Sequence, residues 1–319
     1  MMRRRPVTDD GATISPTRSP AVLDGEEMPG LAPTDYPSLY IAADTAAMSH
    51  HHRHLLIVQI NLLLVALAAI IAVAAPLVPA VQRWSLTASA LILAVGFAMQ
   101  VINRRRHHDH DWFDDRALAE ATKAATWRYV CGAAPYDVPT PAAGARFTDD
   151  LRHLVVRHRD VIRRIEAATD EATWITPGMR RVRALPLAAR RSCYLRDRID
   201  DQIIWYTRKA AHNRRVADRL FWLGQVAQAA AVLGALWRIT YRGKIDVVPL
   251  LTALTAVVTA WSQTGRHMDL ARSYAAANRQ LVTERDRTAA AADAAFGRTV
   301  ADVEGMIAGE QTTWVTKRA

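Results

Sequence analysis

Histidine is the most concentrated reactive side chain in this chain. Seven of its eleven histidines fall in two places, His50, His51, His52 and His54, then His107, His108 and His110. Imidazole ligates zinc and titrates near neutral pH, so with Asp109 and Asp111 nearby these groups are candidates for a metal site or a pH sensor. Neither has the ligand spacing of a closed zinc site, which favours a solvated polar cap, and no bound cofactor or metal is expected. Charged residues at helical spacing come next: Arg116, Glu120 and Lys123 in one group, Arg198, Asp201 and Gln202 in another. They could bind a nucleotide or a partner. The spacing favours helix-surface ion pairs and inter-helix hydrogen bonds that fix register. Within apolar segments, Gln225 and Gln228, then Thr252, Thr255, Thr259 and Ser262, make polar faces suited either to a pore lining or to close helix packing, and both readings stay open.

Enzyme chemistry is not expected. There is no phosphate-binding Gly-Lys loop, dinucleotide fingerprint, zincin motif or nucleophile elbow. Cys131 and Cys193 have no catalytic context, and two cysteines cannot make a disulfide framework, which points to a reducing compartment.

Four uncharged runs must position these groups. Residues 55–75 and 85–103 flank Pro76, Pro79 and Arg83-Trp84; residues 220–237 and 247–265 make a second pair. A 21-residue helix is about 31 Å long, close to the ~30 Å hydrocarbon core of a bilayer. Trp84, Trp222, Trp237 and Trp261 stand at run ends, as interfacial aromatics do. Arg53, Arg104–Arg106, Arg208, Lys209, Arg214, Arg215, Arg219 and Arg266 flank the runs on one side, which predicts cytoplasmic termini at the inner (plasma) membrane. Arg238, Arg242 and Lys244 soften that contrast in the second turn. The runs hold no ionisable group, which disfavours a charge-coupled transporter.

The 319 residues carry a formal net charge of +10 and a mean hydropathy of −0.04, a near-neutral average of apolar runs and a charged remainder. Residues 148–219 hold 17 Lys/Arg against 10 Asp/Glu, a net +7. Interleaved acids and nearby apolar runs favour anionic lipid or a solvated face over nucleic acid, and no direct nucleic-acid binding is expected. No apolar segment follows Arg3–Arg5, so no cleaved leader is expected. Residues 1–35, with five prolines, read as a disordered tail; a unit over 36–136 includes a helix at 111–130; 137–186 reads as a linker with a basic helix; and 187–319 forms a second unit. The expected class is all-α, an integral membrane protein of two helical hairpins (four spans) with long cytosolic helices.

Two segments carry a family resemblance. The first has the lead-in Leu39-Tyr40 with Asp44, then Trp112, Arg116, Glu120, Lys123, Trp127, Arg128 and Tyr129 on the helix after its hairpin. The second has Tyr194, Arg198, Asp201, Gln202, Trp205, Tyr206, Lys209 and Asn213 ahead of its hairpin, with Val303-Glu304, Glu310 and Trp314 in its tail. Together they resemble two SLATT domains in tandem, the SMODS- and SLOG-associating two-transmembrane effector domains of prokaryotes. The run His50–His52 departs from the family, whose relatives tend to have a glutamine there. The resemblance implies a membrane effector of a conflict (anti-phage) system, triggered by a nucleotide second messenger, that oligomerises and forms pores or disrupts the membrane. Membrane lipids, further copies of the chain and a nucleotide-sensing or nucleotide-synthesising protein are the implied partners. The alternative is a scaffold that forms no pore and recruits a soluble partner through its cytosolic helices.

Overall fold

The computed structural model describes residues 22–23, 26–27, 30–75, 79–105, 108–165, 170–241 and 248–316. Beyond a two-residue antiparallel ladder, β1 (Val22–Leu23) with β2 (Glu26–Glu27), the described chain is helical. The helices are α1 (Ser38–Ala74), α2 (Gln82–Arg105), α3 (His108–Cys131), α4 (Thr140–Arg157), α5 (Arg159–Ile162), α6 (Pro177–Ala184), α7 (Leu187–Tyr194), α8 (Asp201–Tyr241), α9 (Val248–Gly265), α10 (His267–Ala290) and α11 (Asp293–Thr316). A π-helical turn, Leu195–Asp200, joins α7 to α8, so one helix runs from Leu187 to Thr240.

Two compact units result, and they do not follow chain order. The first takes residues 1–52, 109–205 and 277–319; the second takes 53–108 and 206–276. Long helices make this interleaving, because α1, the 187–240 helix and α10 each contribute residues to both.

In the first unit α3 is central, buried on most sides through Leu118, Ala119, Thr122, Thr126, Trp127, Val130 and Cys131. The buried hydroxyls of Thr122 and Thr126 donate to the carbonyls of Leu118 and Thr122, so neither is left unpaired. The helix ends in a Schellman motif. Gly132, at φ +68°, donates to Tyr129 O at 3.2 Å, and Ala133 donates to Arg128 O at 2.9 Å. Arg190 Nη1 and Arg183 Nη1 donate to Cys131 O and Tyr129 O, placing two cations at the negative end of the helix. On α11, Phe296, Val300, Val303 and Ile307 form the buried stripe that their three- and four-residue spacing predicts.

Two expectations are corrected. Residues 137–186 are core and not linker: Pro139 and Pro141 begin α4, and Phe147, Leu151, Val161, Trp174, Met179 and Val182 are buried. Pro at a helix start is tolerated because its missing N–H would be unpaired there anyway. The end of the presumed disordered tail is ordered too. Pro33–Asp35 is a 3₁₀ turn, Leu31 is buried, and Thr176 Oγ1 donates to Asp35 O at 2.6 Å. The remainder of residues 1–29, beyond the β ladder, lies outside the described residues.

The second unit packs through small groups. Ser89 Oγ donates to Ala68 O at 2.9 Å, tying α2 to α1. A Cβ on Gly96 would lie 2.8 Å from Asn61 Oδ1, so the Asn61 side chain of α1 fills the space beside this glycine of α2. Ala227 and Val258 are the buried residues of α8 and α9 within the apolar runs, while Leu63, Phe97, Val226 and Leu233 are more than 60% exposed. Among the described residues, one helix is long and apolar enough to cross a membrane, Leu187–Thr240, and only 6% of its apolar window is buried; Gln59–Ala74 is a shorter apolar helix.

Candidate functional site

The first unit encloses a network of six charged side chains, three of each sign. Arg198 enters it from the π-helical turn, where the widened backbone marks a departure from regular helix. Its guanidinium pairs with Glu304 of α11 in a fork: Nε to Oε1 at 2.9 Å and Nη2 to Oε2 at 2.8 Å. The two residues are 1% and 0% exposed, so the pair is held away from solvent. Tyr194 OH donates to the same Glu304 Oε1 at 3.0 Å. From α3, Glu120 brings its carboxylate within 4.0 Å of Arg198 and pairs with Arg116 one turn earlier. Arg116 Nη1 reaches Asp44 Oδ1 of α1 at 2.8 Å. Lys123 lies over the rings of Tyr36 and Tyr40, 5.9 and 5.7 Å from their centroids. Trp127 Nε1 donates to Tyr36 OH at 3.0 Å, which closes the cluster against the segment just ahead of α1.

Electrostatics follow from this burial. Desolvation pushes the Glu120 carboxyl up, but Arg116, Lys123 and Arg198 together outweigh it and hold it below the ordinary range. Burial holds Asp44 above its usual value, with Arg116 and Lys123 opposing. Burial and the Arg198 charge push Lys123 down to about 8. Burial works against the Arg198 cation as well, and the Glu304 pair reverses the effect, so Arg198 stays charged. Burial raises the Tyr36 and Tyr194 hydroxyls. Glu120 Oε2 and Arg198 Nη1 are buried with no hydrogen-bond partner among the described residues. The arrangement fixes the helices relative to one another. It contains no nucleophile paired with a base.

The charged helix signatures make the i,i+4 pair and the inter-helix bonds that their spacing suggested, but buried and not on a surface. Regular spacing puts Arg116 and Glu120 on one face but does not say what covers that face, and here α1, the π turn and α11 cover it. Asp44, Arg116, Glu120, Lys123, Trp127, Tyr194 and Arg198 converge. Arg128 turns instead to Ala301 O at 3.3 Å, and Tyr129 packs on Phe147 under Arg183. Asp201 and Trp205 are half-buried and Gln202 is buried. Tyr206, Lys209 and Asn213 belong to the second unit. There Tyr206 stacks near Tyr274, and Asn213 bridges Lys209 O and His267 Nδ1 at 2.9 Å each. The side chains of Trp112 and of all seven clustered histidines lie outside the described residues, and the remaining described residues include no group of three or more metal-ligating side chains.

Polar residues in the apolar runs divide by how they are satisfied. Thr252 and Thr255 donate to Val248 O and Leu251 O, one turn back on their own helix. Gln225 and Gln228 are exposed, as is Thr259; Ser262 is half-buried. The residues that sequence reasoning left out of the site are Tyr36 and Glu304. Glu304 sits in the Val303-Glu304 tail signature, a lone carboxylate on an otherwise apolar stripe (Val300, Val303, Ile307), and that is the signal that marks it.

Two family models match the chain in tandem. SMODS and SLOG-associating 2TM effector domain 3 covers residues 37–191, and SMODS and SLOG-associating 2TM effector domain 1 covers residues 194–314. The chain is a tandem SLATT protein. The first SLATT match runs through the whole segment read as a linker, in agreement with the burial found there. No curated protein and no solved structure matches the chain. SLATT domains are two-transmembrane effector domains, and this chain is accordingly a membrane-associated effector of the SMODS- and SLOG-linked kind. The charged network uses both domains: Asp44, Arg116, Glu120 and Lys123 come from the first, Arg198 and Glu304 from the second.

Proposed function

We propose that this SLATT protein is a non-enzymatic, multi-pass inner-membrane effector that breaches the bilayer. Its two hairpins supply four spans, both termini are cytoplasmic, and assembly of several copies opens a pore when a nucleotide-second-messenger system signals infection. The observation that carries the reading is the exposure of the apolar helices. A soluble core helix is mostly buried, whereas the window in Leu187–Thr240 is 6% buried. Leu63, Leu67 and Ile70 of α1 and Leu91, Phe97 and Ile102 of α2 are exposed in the same way, which supports spans in the first hairpin as well. So large an apolar surface in water would drive aggregation, while lipid covers it without cost.

Fractionation and leakage test this. The full chain should stay in the membrane pellet after a carbonate wash, and its expression with the cognate trigger should release a small dye from cells. Release of the chain into the carbonate supernatant would refute the membrane reading. Intact cells at high, membrane-localised expression with the trigger supplied would refute the pore.

The scaffold reading draws on α4, where Val156 is 57% exposed beside Arg152 and Arg157, a patch suited to a soluble partner. Stable capture of one soluble protein by an Arg152→Glu-sensitive contact, without leakage, would favour it.

A further inference from the structure

We propose that copies of this chain assemble through one face of α8, the face that carries Gln225 and Gln228. The inference rests on the membrane-effector reading above and deepens it by naming the surface and its occupant, a second copy of the same chain.

Within residues 220–237, α8 turns one side toward its own unit: Ala227 is buried, and a Cβ on Gly224 would meet Val258 Cγ1 at 3.7 Å. Another side carries Phe221, Gln225, Gln228, Val232, Ala235 and Ile239. Their intervals alternate four, three, four, three and four, the repeat of a helix–helix seam. Phe221, Val232 and Ile239 on this line are each more than half exposed, and both glutamines are exposed. The seam is thus complete as a pattern and, apart from half-buried Ala235, uncovered in the single chain.

The two glutamines decide what covers it. Each primary amide has two N–H donors and a carbonyl acceptor. Neither makes a hydrogen bond to any described residue, unlike Thr252 and Thr255, which are satisfied by their own helix. Lipid tails offer no partner, and an amide left unpaired in hydrocarbon costs on the order of several kcal/mol. A second α8 seam presents the same amides. Donor and acceptor on each side match acceptor and donor on the other, so a symmetric pairing satisfies both at once. Polar residues at seam positions also fix register, because sliding one helix along the other separates the amides. Val226 and Leu233 are as exposed as the seam residues but lie roughly 120–140° round α8 from the seam at about 100° per residue. They are apolar and suit lipid.

Site-directed cross-linking separates the two sides. Single cysteines replace Gln225, Gln228, Val226 or Leu233 in the full chain. The native Cys131 and Cys193 are kept, since both are buried, and the parent chain is the blank. Membranes are treated with a copper–phenanthroline oxidant, and covalent dimer is measured on non-reducing gels. Gln225→Cys and Gln228→Cys should give several-fold more dimer than Val226→Cys, Leu233→Cys and the parent. Equal yields on both sides, or preferential dimer at Val226→Cys or Leu233→Cys, would overturn the proposal. A parallel dye-leakage assay on the parent keeps the two readings apart. Leakage without cross-linking at 225 and 228 leaves the effector reading standing and removes this face. Cross-linking at 225 and 228 without leakage supports the face and removes the pore.

Discussion

Removing Glu304 should destabilise the first unit, and removing Arg198 with it should restore most of the loss. In Glu304→Ala the Arg198 guanidinium keeps its burial but loses both bonds of the fork, and Tyr194 loses its acceptor. The nearest remaining carboxylate is Glu120, 4.0 Å away and already engaged by Arg116. An uncompensated buried charge of this kind costs about 3–5 kcal/mol. At about 2–4 °C per kcal/mol for a domain of 150–250 residues, the melting midpoint should fall on the order of 10 °C. The double variant Arg198→Met, Glu304→Leu removes both charges and keeps most of the volume, so it should recover most of that loss. Thermal unfolding of the detergent-solubilised full chain, followed by near-UV circular dichroism of buried Trp127 and Trp174, reads the difference. A loss below about 1 kcal/mol in Glu304→Ala, or a double variant as unstable as the sum of the singles, would refute the account of this pair.

Two further outcomes follow from the same unit. Lys123 titrates near 8, below its value of 10.5 in an unfolded chain, so the folded state holds fewer protons than the unfolded state between those limits. Stability should therefore rise as pH goes from about 8 toward 10 by this contribution, and Lys123→Met should abolish that rise in unfolding midpoints measured across the range. Gly132→Ala places a side chain at φ +68°, with its Cβ 2.8 Å from Arg190 Nη1, and should cost about 1 kcal/mol or more in the same assay. An unchanged midpoint would show that the α3 terminus tolerates a different cap.

The helices and apolar runs were legible because periodicity and length are local properties. A stripe such as Phe296, Val300, Val303 and Ile307 repeats within two turns and reads directly. What covers a face is not local. Glu304 lies 106 residues from Arg198, and no spacing rule links them. The signature at Arg116, Glu120 and Lys123 looks the same whether water or three other helices lie over it, so spacing left surface pairs and inter-helix bonds together, and burial decided for the second. Prolines misled for a related reason. Pro139, Pro141, Pro177 and Pro186 stand where helices start or are preceded, yet together they gave 137–186 the composition of a linker. The interleaved units were hidden because helix continues unbroken through both boundaries, at 52/53 in α1 and 205/206 in the 187–240 helix, so no turn signal marks them.

The network bears on why two SLATT domains sit in one chain. An apolar core of similar volume would be as stable as a buried ion network, or more so, and it would avoid the desolvation of six charges. What charges add is directionality: a fork such as Arg198 with Glu304 forms in one geometry and in one register. The network around that fork crosses the boundary between the domains where Arg198 approaches Glu120 at 4.0 Å. Glu120 of the first domain is held in its charged state partly by Arg198 of the second, and Trp127 of the first packs on Tyr194 of the second with ring centroids 5.6 Å apart. Each domain carries paired charges of its own, Arg116 with Asp44 and Glu120 in the first and Arg198 with Glu304 in the second. What the first loses without the second is one of the three cations that hold Glu120 charged, and the Tyr194 ring against Trp127. Parts of both domains therefore share one compact unit, residues 1–52, 109–205 and 277–319, whose central network balances three acids against three bases.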